Sequence, residues 1–397
     1  MKTMLPPPSP PKKSKKKLWW ILGILFFIFI ILPGSTLVVL AYNPALSAET
    51  ADHVLRPLLG DSATIAIEGV VLGIEDKINH ARYSQPPVAD YQPAISLVPV
   101  TPFLPATATP NAATDPLPTE TPSPLVLPTI TPTYDADSLL PDEDTWQSIP
   151  KTNLYTTFVR TDSSRTYAVV NLVYMPMSQL NIMAVAGTEH PGGELGLPGP
   201  GKIPDDIQAS GSLVAAFNGG FQEKDGHYGM VVGSTTYVPL RKGLATLFIY
   251  NNGHANMAAY DGKPLDPTVT AARQNGLFLV QNGQDTKYTA AGTEIWAGTA
   301  SGDFITWRSG IGVTASGDLI YAVGPSLTPQ ALADALRIAG CVNAMQLDIN
   351  DFWVRFMVYQ ADGKGGYTYN SLIPALANGG KQYLNSYQKD FFYVYKK

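Results

Sequence analysis

Polar and apolar positions along the chain follow four successive patterns. The first is an uninterrupted apolar run. Residues 18–40, LWWILGILFFIFIILPGSTLVVL, carry no charge and follow the lysines of KKSKKK at 12–17. A helix of this length covers about 35 Å at roughly 1.5 Å per residue, enough for a hydrocarbon core of about 30 Å. Trp19 and Trp20 stand at the lysine end, where interfacial aromatics belong. The pattern predicts a basic cytoplasmic tail over 1–17 and an uncleaved transmembrane helix over 18–40, with everything after it outside the cytoplasm. A cleaved signal peptide is the alternative, given Ala41 and LSAET beyond it.

Helical spacing governs 41–82. Val54, Leu55, Leu58 and Leu59 recur on one face, then Ile67, Val70, Val71, Ile74 and Ile78. Gly60-Asp61-Ser62 separates them, so a juxtamembrane helical hairpin is expected. From 83 to 145 the period is lost and proline and threonine dominate, which predicts an extended, disordered linker without a core.

From 146 to 397 the pattern becomes short β-rich segments between glycine, asparagine and aspartate turns. NLYTTFVRT, TYAVVNLVYM, LNIMAVAG, SLVAAFNGG, ATLFIYNNG, GLFLVQNG, NAMQLDIN and FWVRFMVYQ read as strands. VTASGDLIYAV reads as a hairpin turning on Ser316-Gly317-Asp318. One helix stands among them, TPQALADALRIAG at 328–340. Thr328 is placed to cap it, Pro329 fits its first turn and Gly340 can end it. The fold class is therefore α+β: mostly antiparallel or mixed β-sheet with few helices.

Composition narrows the function. The net charge of −5 does not suit a nucleic-acid binder. A single cysteine, Cys341, excludes an intramolecular disulfide and a Cys-rich zinc site, and reads as a small buried hydrophobe. There is no G-x-S-x-G elbow, P-loop or H-E-x-x-H.

Three stretches carry candidate chemistry. In AAFNGGFQEKDGHYGM a strand runs into Asn218-Gly219-Gly220. Paired glycines permit positive φ and close approach, and their N–H groups can form an anion nest; a bare turn is the alternative. Glu223 and His227 follow at once. In TWRSGIGV, Arg308 suits either a bidentate clamp on phosphate or a structural ion pair. In AMQLDINDFW, Asp348 ends an apolar strand and Asp351 follows. Such carboxylates suit acid–base work, a hard cation such as calcium, or turn capping.

Taken in order, the NGGF turn, the arginine of R-S-G-I-G-V…G-D-L, the helix and GC-x-N-A-x-x-L-D resemble the phosphodiester glycosidase family over roughly 150–395. The resemblance implies hydrolysis of a sugar-1-phosphodiester. No cofactor is expected, a divalent cation such as calcium being the alternative. The resemblance matches Asn218, Gly219 and Gly220 to the family's NGGFF turn, Arg308 to the arginine of its R-x-A-I-G and Asp348 to the aspartate of its L-D-G-G-G-S. In the expected mechanism Arg308 and the Gly219–Gly220 backbone hold the phosphodiester, and Asp348 or Asp351 assists at the anomeric carbon. The family's L-D-G-G-G-S loop is replaced by Ile349-Asn350-Asp351-Phe352-Trp353, so a carboxylate and two aromatics stand where glycines and a serine would. The expected protein is a single-pass cell-membrane hydrolase with an extracytoplasmic domain acting on glycan, with Glu223, His227 and Trp353 as further substrate contacts. Two alternatives are a non-catalytic glycan-binding module using Trp353 and Trp307 as stacking faces, and a scaffold whose helical hairpin recruits a partner.

Overall fold

A computed structural model describes residues 125–192, 195–286, 305–349, 352–376 and 379–397, with scattered positions and short runs between 39 and 100. The expected cytoplasmic tail and, apart from Val39, the apolar run 18–40 lie outside the described residues. Among those described, no helix is long and apolar enough to cross a membrane. The described positions of 54–59 and 63–81 are helical, on either side of Gly60 at φ 77°.

The strands are, in chain order, β1 Val98–Pro99, β2 Gln147–Ile149, β3 Leu154–Val159, β4 Val170–Met175, β5 Leu180–Val185, β6 Leu213–Asn218, β7 Met230–Val232, β8 Thr235–Val238, β9 Ala245–Tyr250 and β10 Ala255–Ala259. They continue with β11 Val269–Gln274, β12 Phe278–Gln281, β13 Gln284–Asp285, β14 Thr306–Thr314, β15 Leu319–Leu327, β16 Cys341–Ile349, β17 Phe356–Ala361, β18 Tyr367–Ser371 and β19 Phe391–Lys396. A nine-stranded sheet has the order β1-β2-β3-β4-β15-β14-β16-β12-β13. Two five-stranded sheets have the orders β10-β9-β11-β7-β8 and β18-β17-β6-β19-β5. Every described pairing is antiparallel.

Alternation along β14 shows how the layers form. Trp307, Ile311 and Val313 face the main core, shared with side chains of both five-stranded sheets. Phe217 of β6 stacks there between Phe356 and Phe392, at centroid distances of 5.5 and 5.4 Å. Trp307 is 4% exposed, so it is a core residue and not the glycan-stacking face expected of it. The opposite face of β14 is nearly bare. A Cβ at Gly310 would sit 3.1 Å from Leu336, and this lets the helix Pro329–Ile338 lie close on the sheet. That helix starts as expected, with the Thr328 hydroxyl accepting from Ala331 N at 3.0 Å, and Gly340 leaves it at φ 94°. Cys341 is buried in the same layer, its thiol pKa pushed up by burial.

Two short helices, Asp205–Ser210 and Gly380–Asn385, were not expected. The linker expectation needs a larger correction. Within 83–145, Val98 pairs with Ser148, and Ile95 and Leu97 pack against the main core. Residues 125–145 are extended for much of their length but dock on the domain. Ile130 is buried, and Trp146 Nε1 donates to Pro128 O at 2.7 Å. Glu143 and Arg160 form a buried ion pair at 2.8 Å. Proline suppresses regular structure here without preventing apolar side chains from finding a surface. Residues 101–124 lie outside the described set.

Candidate active site

The site is assembled where β6 and β16 end, β14 begins and the chain enters β19. Asn218 closes β6 and is 2% exposed. Its Oδ1 accepts from Arg355 N at 3.1 Å and from the Tyr321 hydroxyl at 2.8 Å. Its Nδ2 donates to Ser309 Oγ at 2.9 Å, and Ser309 Oγ donates to Asp348 O at 2.8 Å. Asp348 N in turn donates to Gly219 O at 3.1 Å. Three strands far apart in sequence are thus stitched together through Ser309, the residue beside the arginine singled out from the sequence.

The glycine pair has a different purpose from the expected nest. Neither Gly219 nor Gly220 is among the residues with left-handed φ. Gly219 N donates to Asp390 O at 3.0 Å and Gly220 N to Asp390 Oδ2 at 3.2 Å. A Cβ on Gly219 would run into the Asp390 carboxylate, and one on Gly220 into the Asn275 amide. The glycines exist to let Asp390 and Asn275 approach, and the protein itself occupies the N–H groups meant for an anion. Arg273 completes the clasp. Its Nε donates to Asp390 Oδ2 at 2.8 Å and its Nη2 to Phe221 O at 2.7 Å.

Asp348 is buried against a cation. Its carboxylate pairs with Lys389, with both side chains 3% exposed, and Oδ1 accepts from Ile349 N at 3.1 Å. Burial pushes the carboxyl pKa up to about 6 against the pull of Lys389, and the charges of Asp390 and Asp225 push the same way as burial. The Lys389 ammonium lies 4.5 Å from the centre of the Trp353 ring. Trp353 therefore meets Lys389 with the face expected to stack on sugar, and it is itself 9% exposed. His190 lies in the same field: burial, then Lys389, holds its pKa below the ordinary range.

The remaining expected residues divide. Arg308 is next to Asp348 in the backbone, its Cα partner across β16 being Ile349. Its side chain alternates away from that of Ser309, however. Nε donates to Leu327 O at 2.8 Å and Nη1 to Gln346 Oε1 at 2.7 Å, and burial lowers its pKa to about 9. The guanidinium supports the strands from the helix side, where the expectation had it clamping a phosphodiester. Glu223 and His227 pair with each other at the surface, the imidazole side chain 68% exposed. Asp225, between them, is the acid whose charge reaches Asp348. Asn350 and Asp351 lie outside the described residues. Among the described residues no three His, Cys, Asp or Glu side chains gather to hold a metal ion.

Residues 211–348 match the model of the phosphodiester glycosidase family. The phosphodiester glycosidase match holds Asn218, the glycine pair, Arg273, Ser309 and Asp348, and it stops short of Lys389 and Asp390. Among solved structures, the chain is similar to the catalytic domain of zebrafish N-acetylglucosamine-1-phosphodiester alpha-N-acetylglucosaminidase, auto-inhibited by its pro-peptide. That likeness has 13% identity, covers 63% of this chain and 86% of the other, and has a TM-score of 0.38. A hypothetical protein from Synechocystis follows at 12% identity, 62% of each chain and a TM-score of 0.32. A putative exported protein from Burkholderia pseudomallei has 11% identity, 57% of this chain and 74% of the other, and a TM-score of 0.26. No curated protein matches the chain. Outside the phosphodiester glycosidase match, the sequence did offer one signal for what was missed. The doublet Lys389-Asp390 directly before the aromatic run FFYVY puts two opposite charges at the mouth of a buried strand.

Proposed function

We propose that the domain is a phosphodiester glycosidase, cleaving the bond between the anomeric carbon and the phosphate oxygen of a sugar-1-phosphodiester in cell-surface or exopolysaccharide glycan. The observation that carries this reading is the buried Asp348–Lys389 pair at the end of the family-matched span, where burial pushes the carboxyl pKa up to about 6. In the proposed reaction, water adds to the anomeric carbon as its bond to the phosphate oxygen breaks. The products are the free sugar and a phosphomonoester. A phosphate ester leaves with little acid help, so the Asp348 carboxylate works by stabilising the oxocarbenium-like transition state or by taking the proton of the attacking water. Lys389 holds that carboxylate in place, and the Arg273–Asp390 clasp holds the turn beside it.

The full chain, incubated with an alkyl glycosyl phosphodiester and followed by ³¹P NMR, should accumulate the phosphomonoester. Saturable binding of the diester without product would leave a glycan-binding module instead. The burial of Trp307 and the contact of Trp353 with Lys389 speak against that second reading.

The same proposal places the domain outside the membrane, on a single-pass anchor at 18–40 with its lysines in the cytoplasm. Protease added to intact cells should then release a soluble fragment cut within 101–124, between the docked stretches around 98 and 125. Protection of the domain until lysis would reverse the orientation.

A further inference from the structure

The described residues include buried arginines with contrasting surroundings. Arg160 is paired with Glu143 and Arg273 with Asp390, each at 2.8 Å. Arg355 is 4% exposed, and its guanidinium meets only neutral groups. Nη2 donates to Phe352 O and Nη1 to Gln382 Oε1, both at 2.7 Å, and the guanidinium carbon lies 5.1 Å from the centre of the Tyr387 ring. Nε is buried with no partner at all. A buried cation without a counter-charge is costly, and a buried N–H without an acceptor adds to that cost. The Tyr387 ring face offsets part of that cost but supplies neither a counter-charge nor an acceptor for Nε. The hydroxyls of Tyr387 and Tyr383, whose rings lie 5.1 Å apart, are also buried and without partners.

Arg355 is also fixed in place. Its N donates to Asn218 Oδ1 and its O accepts from Asn218 N, so its backbone is held against the first residue of the NGGF turn. Tyr387 lies within the electrostatic reach of both Arg355 and Asp348. A donor-rich, positively charged spot therefore borders the Asp348–Lys389 pair. At the same site the glycine N–H groups are already committed to Asp390, and Arg308 faces the helix layer.

We infer that Arg355, with the Tyr387 hydroxyl beside it, is the anion subsite of this domain and takes the phosphate oxygens of the diester. This rests on the glycosidase reading for the identity of the ligand and on the burial and bonding of Arg355 for its place. Guanidinium geometry suits such oxygens, and a bound phosphodiester supplies the counter-charge that Arg355 lacks.

The test separates binding from chemistry. Binding of inorganic phosphate and of dimethyl phosphate to the full chain is measured by calorimetry, beside KM and kcat for the glycosyl phosphodiester. Arg355→Lys keeps the charge and should weaken dimethyl phosphate binding at least tenfold and raise KM similarly. Arg355→Met should abolish detectable binding while the melting temperature stays level or rises, because an uncompensated charge has been removed. Tyr387→Phe should weaken binding severalfold. Unchanged dimethyl phosphate affinity in Arg355→Lys would overturn the subsite, as would hydrolysis of the diester with the same KM in Arg355→Lys as in the wild type. Should Arg355→Met fail to fold, the lysine variant decides alone. Arginine-dependent phosphate binding without any hydrolysis would keep the subsite and remove the glycosidase reading.

Discussion

Glu143–Arg160 and Asp348–Lys389 are both carboxylates buried against a cation, yet their surroundings differ. Glu143 accepts from Leu140 N at 2.9 Å, Arg160 N at 3.1 Å, Arg160 Nε at 3.0 Å and Arg160 Nη2 at 2.8 Å. Arg160 spends its remaining capacity on Ser138 O at 2.6 Å and on the Tyr134 ring, 4.4 Å away. All these partners lie within 134–160, and together they nail the end of the proline-rich segment to the domain. Asp348 has Lys389 and one backbone N–H, and burial lifts its pKa to about 6. A carboxylate supplied with many donors serves as a fastening. One supplied with few remains able to change charge near neutral pH, and that is the property a reacting group needs.

The largest effect should come from Asp348→Asn. Turnover of the diester should fall by a factor on the order of 10² or more. The amide stands in for the neutral acid, so the melting temperature at neutral pH should not fall. Adding Lys389→Met should restore none of the turnover. A large loss of stability in Asp348→Asn with turnover retained would make the pair a fastening like the other one.

Next comes the fastening itself. Glu143→Ala should cost about 3–5 kcal/mol in urea unfolding, as expected when one member of a buried pair is removed. kcat of the folded fraction should stay the same. A chain starting at residue 146 should be destabilised further than one starting at 125, because Ile130 and the Pro128 acceptor of Trp146 go as well. Equal melting temperatures would show that the docked segment contributes nothing.

The pH response of the Asp348 pair comes next. A carboxyl at about 6 in the folded state and about 3.9 unfolded binds more protons when folded. Stability should therefore fall by on the order of 3 kcal/mol as pH rises from about 4 to about 6, then level off. kcat should rise over the same window if the carboxylate is the working form. Asp348→Asn should flatten the stability trend, and persistence of the slope would assign it to another group. The smallest effect is Tyr134→Phe, which removes the hydrogen bond to Asp162 O, 3.0 Å long, and should cost about 1 kcal/mol with no change in kcat.

The sequence made the strand-and-turn pattern, the capped helix and the order of the family motifs legible, because these rest on local spacing. Asn218 and Asp348 do come together, as their places at strand ends suggested. Side-chain parity was harder to read. Arg308 and Ser309 point to opposite faces of β14, and only the pairing with β16 reveals which of them meets Asp348. Trp307 looked like a stacking face because exposure cannot be judged from one strand. The partners of the key acids lie far along the chain: Lys389 is 41 residues beyond Asp348, and Asp390 is 117 beyond Arg273. No spacing rule joins residues at those distances. The docked stretch 125–145 was hidden by its prolines, which silence periodicity without abolishing contact.

The position of β19 bears on how the protein is made. This last described strand lies in the middle of its sheet, between β6 and β5, and the loop feeding it brings both Lys389 and Asp390. During synthesis the two flanking strands emerge some two hundred residues earlier and must wait with unpaired edges, a condition that invites mispairing between nascent chains. A message cut short before codon 389 would yield a polypeptide with every residue of the family-matched span and neither Lys389 nor Asp390. Synthesis through β19 is thus the step that assembles this cluster, and a frameshift between Asp348 and Lys389 should be as damaging as one at Asp348 itself.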